Sequence, residues 1–265
     1  MRYVIGAAAL AAIVSSACGQ TVHFSNGRDI WTSTDAGASF AKLGAVTSVS
    51  DRHVLGDFGV VGLGYHAGLN SYFASGSNGH LYTVTGLGTA NVALSFYKDL
   101  GSSTISFEFV GDDFVGVRGN DLVAFDVVAN GALHVINTNT GLSSVPSTAL
   151  VDDGYYGIIE NGRLYRINNA GAATLIGNTG TGGLHQAGGS GLNNVYYHGA
   201  GYQLAGDDVV RFGTVNTQTA AFTLLSETNI GTAKGQMGLV VVVPAPSAGA
   251  AMTLGGLFVA RRRRR

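Results

Sequence analysis

The chain has 265 residues, of which 12% are charged and 41 are glycine, and its formal net charge is −1. Six of its fifteen basic residues lie at the ends, as Arg2 and the run Arg261, Arg262, Arg263, Arg264 and Arg265, so nine face all sixteen acidic residues in between. An acidic interior excludes nucleic acid as the expected partner, and a single cysteine, Cys18, excludes an intramolecular disulfide or a cysteine-based metal site.

The start, MRYVIGAAALAAIVSSACGQT, has one positive residue, an apolar run from Tyr3 to Val14 and small residues from Ser15 to Gly19. This is the pattern of a secretory signal over 1–19, too short for a stable membrane span. Ser16-Ala17-Cys18 also resembles a lipoprotein cleavage site, which would acylate Cys18, and that alternative stays open.

Between the ends, Val, Thr, Tyr, Phe and Gly outweigh helix formers, which favours strands and tight turns. The segments DIWTST, HLYTVT, DLVAFDV, RLYRIN and DVVRFGT align on Ile30, Leu81, Leu122, Leu164 and Val209, at steps of 51, 41, 42 and 45 residues. A turn-rich stretch precedes each, as at Asn161-Gly162, a strong hairpin signal. A further strand follows each: 39–43, 91–96, 132–136, 172–176 and 221–225. Units of about 40 residues with several strands fit the blades of a β-propeller around a central channel.

The expected fold is therefore all-β: a five-bladed β-propeller over 20–243, flanked by the signal and a short C-terminal transmembrane helix. The first unit, which begins at Thr21, lacks an innermost strand. An orphan strand, Gly238 to Val243, is expected to pair into it and close the ring without an open edge. GRLYRINNAGAATLIGNTG, from Gly162 to Gly180, is similar to blades of bacterial secreted propellers. In the first unit, Ser33, Asp35, Gly37 and Phe40 resemble the Asp-box of sialidase-like propellers, a resemblance that implies a structural role in which the Asp holds its own turn.

Candidate chemistry is sparse. Asp112-Asp113, Asp152-Asp153 and Asp207-Asp208 offer paired carboxylates, but the first two occupy nearly equivalent repeat positions where Asp caps turns, and no spaced calcium loop is present. His66, His185 and His198 read as dispersed surface residues. Tyr65, Tyr72, Phe73, Tyr155, Tyr156, Tyr196, Tyr197 and Tyr202 suit either sugar stacking or packing between blades. No catalytic residue, metal or cofactor is expected.

The tail over 244–265 combines prolines, an apolar segment over 247–260 and the Arg run. Its 14 apolar residues fall short of the ~20 of an ordinary helical span, and clustered Arg stays on the cytoplasmic side. Val243, Pro244, Ala245 and Pro246, with the apolar segment and the Arg run, resemble the PEP-CTERM sorting signal of Gram-negative bacteria. Ala245 stands where that family usually has Glu. The resemblance implies an exosortase-like processing enzyme as partner, a membrane contact through 247–260, and an exported protein of the envelope or matrix; an ordinary tail anchor is the alternative. The expected function is a non-enzymatic binding or structural module for polysaccharide or surface protein. The alternative is a carbohydrate-active enzyme, a glycosidase or lyase, with Asp207 or Asp208 as its most exposed carboxylates.

Overall fold

The computed structural model describes residues 20–50, 59–101, 105–137, 141–142, 147–151, 154–158, 161–168, 170–181, 186–191, 195–204, 207–232 and 237–242. The signal segment, the sorting motif from Val243 to Pro246, the Arg run, Asp152-Asp153 and His185 lie outside them. All regular elements among the described residues are strands.

In chain order, β1 (Thr21–Asn26), β2 (Asp29–Ser33) and β3 (Ala41–Val49) form the first unit. The second holds β4 (Val60–His66), β5 (Ser71–Gly76), β6 (His80–Thr85) and β7 (Asn91–Asp99). Next come β8 (Ile105–Val110), β9 (Asp113–Arg118), β10 (Asp121–Asp126) and β11 (His134–Asn137), then β12 (Ser147–Val151), β13 (Gly154–Ile158), β14 (Arg163–Ile167) and β15 (Ala173–Asn178). The last unit is β16 (Gln186–Gly191), β17 (Val195–Leu204), β18 (Asp207–Val215) and β19 (Phe222–Gly231), and β20 (Leu239–Val242) ends the described chain. Each unit is an antiparallel meander, because its strands are joined by short Gly- and Asn-rich turns such as Gly27-Arg28 and Gly119-Asn120. The five aligned segments become β2, β6, β10, β14 and β18, the same strand of every unit.

The first unit takes its innermost strand from the far end of the chain. β20 pairs antiparallel with β1, from Phe24↔Leu239 to Thr21↔Val242, the pairing the sequence suggests. The innermost strands β20, β4, β8, β12 and β16 then touch one another in that cyclic order.

Each boundary between units carries its own apolar core. Ile30, Tyr82 and Val240 belong to the boundary of units 1 and 2. Phe73, Phe107, Phe114 and Phe125 join units 2 and 3, Leu122, Tyr155 and Ile167 join units 3 and 4, and Ile158, Leu164 and Tyr196 join units 4 and 5. Phe24, Val210, Phe212 and Leu239 close the cycle between units 5 and 1. Strand alternation explains this: the inner and middle strands pack on neighbouring units through both faces, so few of their positions need to be polar.

A second set of contacts repeats around the cycle, as outer strands reach the third turn of the next unit. Ala45 N–H donates to Ala90 O (3.3 Å), Tyr97 OH to Val127 O, Asn137 Nδ2 to Ala170 O and Ser226 Oγ to Gly37 O (2.6 Å). Gly177 makes the fifth such approach, from unit 4 to unit 5, where an added Cβ would lie only 3.0 Å from Ala220 Cβ.

Two features depart from the sequence reading. β3 runs six residues beyond the expected 39–43 strand, and its second half pairs in parallel with β7, from Ala45↔Asn91 to Val49↔Leu94, merging units 1 and 2 into one eight-stranded sheet. Around the expected central channel, the innermost strands also approach one another closely. Gly188 sits so near unit 4 that an added Cβ would lie 2.5 Å from Ser147 Oγ and 2.6 Å from Thr148 O. Among the described residues, Val61, Leu63, Phe107, Ala187, Met237 and Leu239 converge there on a hollow too tight to admit a water molecule. Small residues on the innermost strands let the backbones meet where a wider ring would leave a pore.

Candidate functional site

Successive turns of a meander alternate between its two ends. First and third turns therefore lie at one end, and second turns at the other with the linkers between units. Asp112 lies in the first turn of unit 3 and Asp113 opens β9, whereas Asp208 follows the second turn of unit 5. These acidic pairs are thus separated by both unit and end. The Asp112 carboxylate lies 3.6 Å from His66 Nε2. His66 Nδ1 accepts the Leu69 N–H at 3.0 Å, so in the neutral ring Nε2 carries the proton and points toward Asp112 without reaching hydrogen-bond distance. Among the described residues, no three His, Cys, Asp or Glu side chains converge on a possible metal position.

The histidines correct the expectation of a dispersed surface set: His23, His66 and His198 are all buried. His198 is wedged between Ser147 Oγ at Nδ1 and Thr181 Oγ1 at Nε2, both at 2.9 Å. Desolvation pushes its pKa down to about 3, so it is neutral. Tyr196 OH continues the chain, 2.9 Å from Ser147 Oγ and donating to Ser147 O at 3.0 Å. His23 meets Thr32 Oγ1 at 2.8 Å, and burial lowers its pKa to about 4.

A carboxyl that sequence reasoning missed stands near the axis. Glu108 on β8 accepts the Ser190 N–H of β16 at 3.1 Å, tying unit 3 to unit 5 past the unit between them. The residue is only partly buried by surface area, yet desolvation outweighs the Ser190 bond and pushes its pKa up to about 8. It therefore holds a proton at neutral pH. Its titratable neighbours are Tyr155 and Tyr196, both themselves pushed up by burial. A glycosidase pair needs a second carboxyl about 5 Å away, whereas the ionisable groups coupled to Glu108 among the described residues are these tyrosines. The available hint was a charge inside the aromatic alternation of ISFEFV, which puts Glu108 on the face opposite Phe107 and Phe109.

The tyrosines divide. Tyr155, Tyr196 and Tyr197 are buried in boundaries between units. Tyr65 and Tyr72 remain half-buried as a cross-strand pair with centroids 5.0 Å apart, and Tyr65 OH donates to Asn70 Oδ1 at 2.6 Å. Tyr202 lies under the Arg211 guanidinium, 5.0 Å from its ring centre.

The four Asp-box positions form one local device. Ser33 Oγ donates to Asp35 Oδ1 (2.5 Å) and accepts the Gly37 N–H (2.8 Å), while Ser39 supplies its N–H (3.0 Å) and hydroxyl (2.6 Å) to the same carboxylate. The bonds from Ser33 and then Ser39 hold the Asp35 pKa down to about 2. Gly37 adopts φ 90°, and any Cβ there would lie 1.9 Å from the Phe212 ring. Phe40 packs edge-on against both Phe24 and Phe212. This turn is the one that Ser226 of β19 grips, so the box sits at the seam between units 5 and 1.

No family model and no curated protein match the chain. Solved structures similar to it include a protein of unknown function from Bacteroides caccae (8% identity, 80% of this chain and 73% of that one, TM-score 0.42). Others are a streptogramin B lyase (14% identity, 77% and 66%, TM-score 0.43) and BamB from Moraxella catarrhalis (14% identity, 80% and 61%, TM-score 0.35). The all-β arrangement of repeated four-stranded sheets stands on the strand pairings themselves.

Proposed function

We propose that the chain is an exported five-bladed β-propeller that works as a non-enzymatic binding or structural module, delivered by its PEP-CTERM-like tail to an exosortase-like enzyme. The observation that carries this reading is the pairing of Thr21 with Val242. The ring begins just after the signal segment and ends just before Pro244, so both address segments can be removed without taking a strand from it. Five apolar boundaries and a repeated grip on each next third turn support five blades. Among the described residues, Glu108 couples to the tyrosines Tyr155 and Tyr196, which favours binding over hydrolysis. Its ligand class is extracellular polysaccharide or surface protein.

Fractionation and intact-mass analysis of the protein from its native host test the reading. The expected mature species lacks 1–19 and the run Arg261 to Arg265, and is retained on the host's own exopolysaccharide or surface-protein fraction. A species that keeps all five arginines in the membrane fraction sinks the sorting role. Failure to be retained on either material sinks the binding role.

A further inference from the structure

Both ends of the ring-forming chain leave at the same place. Ser25 Oγ accepts the Gly238 N–H at 2.7 Å and donates to Val60 O at 3.0 Å, which sets the starts of β20 and β4 side by side. His23, paired with Val240, meets the Tyr72 ring edge-on at 6.1 Å, beside the end of β4. The two strands thus run in the same direction, and Val242 emerges next to the first turn of unit 2, residues 67–70.

That end of the ring also carries an apolar patch. Leu69 in this turn is 40% exposed, Val110 at the end of β8 is 42% exposed and Val128 in the third turn of unit 3 is 55% exposed. The turns that bear them are neighbours: His66 reaches toward Asp112, and the Val127 N–H donates to Asp112 O at 2.8 Å. Tyr65 and Tyr72, half-buried with polar tips, flank the patch. Apolar side chains rimmed by Tyr are the composition of a bilayer interface. Only 243–246 separate the last described residue from the apolar segment of the tail. Four extended residues reach at most about 14 Å, so the first and third turns cannot stand far from whatever membrane holds residues 247–260.

We infer that the end of the ring bearing Leu69, Val110 and Val128 seats on the headgroup region of the bilayer before the tail is processed. The second turns and linkers then face outward, free for ligand. This orientation rests on the tail reading proposed above. It assigns the membrane to one end of the ring and the extracellular partner to the other.

The test uses the full chain in a Cys18→Ser background, reconstituted into vesicles of phosphatidylethanolamine and phosphatidylglycerol with a headgroup-linked quencher. One sample carries a fluorophore on Val128→Cys and the other on Asn120→Cys, in the exposed second turn of the same unit. The Val128 label is expected to be quenched several-fold more strongly than the Asn120 label, and a Leu69→Ser, Val110→Ser double substitution should reduce that difference. Equal quenching, or stronger quenching at residue 120, in protein that sediments with the vesicles overturns the orientation while leaving the tail anchored. Protein that does not sediment overturns the tail reading and the orientation with it.

Discussion

At the scale of single residues, buried groups that must stay neutral set the pH range of the fold. Glu108 has its pKa raised to about 8, so between the ordinary carboxylate range and pH 8 the folded state holds a proton that the unfolded chain has released. Stability from this group is full at acidic pH and falls as pH rises toward 8. His198 and His23 act in the opposite sense. With pKa values lowered to about 3 and about 4, they cost stability as pH falls below the ordinary imidazole range. Glu108→Gln keeps an acceptor for Ser190 but cannot ionise. Its melting temperature relative to wild type should therefore rise progressively from pH 5 to pH 9, and a parallel pair of pH profiles would show that Glu108 does not titrate as argued. The hydrogen-bonded turn at Asp35 was legible in the sequence because its partners lie within four residues of Asp35. Glu108 was not, because its partner is 82 residues away and nothing local marks the innermost strand as facing Ser190.

At the scale of elements, hairpin signals and apolar alternation were enough to find the repeated strands, since each pairs with its neighbour in sequence. The orphan strand Gly238 to Val243 was found by the opposite reasoning, as an apolar run with no local partner matching a unit with no inner strand. The second half of β3 escaped because its partner is the outer strand of another unit, and Ala45 to Val49 has no turn signal to frame it. β20 should matter more than its four residues suggest. Leu239 is 2% exposed within the core shared by Phe24 and Phe212, and Leu239→Ala is expected to cost about 2–5 kcal/mol in denaturant unfolding. Leu225, 44% exposed on the outer strand β19, is the matched control, and Leu225→Ala should stay within about 0.5 kcal/mol. Similar costs at the two positions would mean that the closing strand is not a working part of the ring.

At the scale of the whole molecule, the seam between units 5 and 1 includes contacts between residues far apart in the chain, as in the Tyr197 OH bond to Gln20 Oε1 at 2.8 Å. Closing a long loop costs entropy that local contacts do not, so the boundary between units 5 and 1 is the one most dependent on its own side chains. It is also where the Asp-box turn, Phe40, Phe212 and Ser226 meet. Gly37→Ala strikes this point twice, through the backbone at φ 90° and through the Phe212 ring. If the ring is held boundary by boundary, hydrogen exchange in this variant should quicken first in β1, β19 and β20, while β9 and β10, across the ring, keep their protection. If instead all units lose protection together, the cycle opens as one cooperative body, and the Asp-box turn is a clasp for the entire domain rather than for one seam.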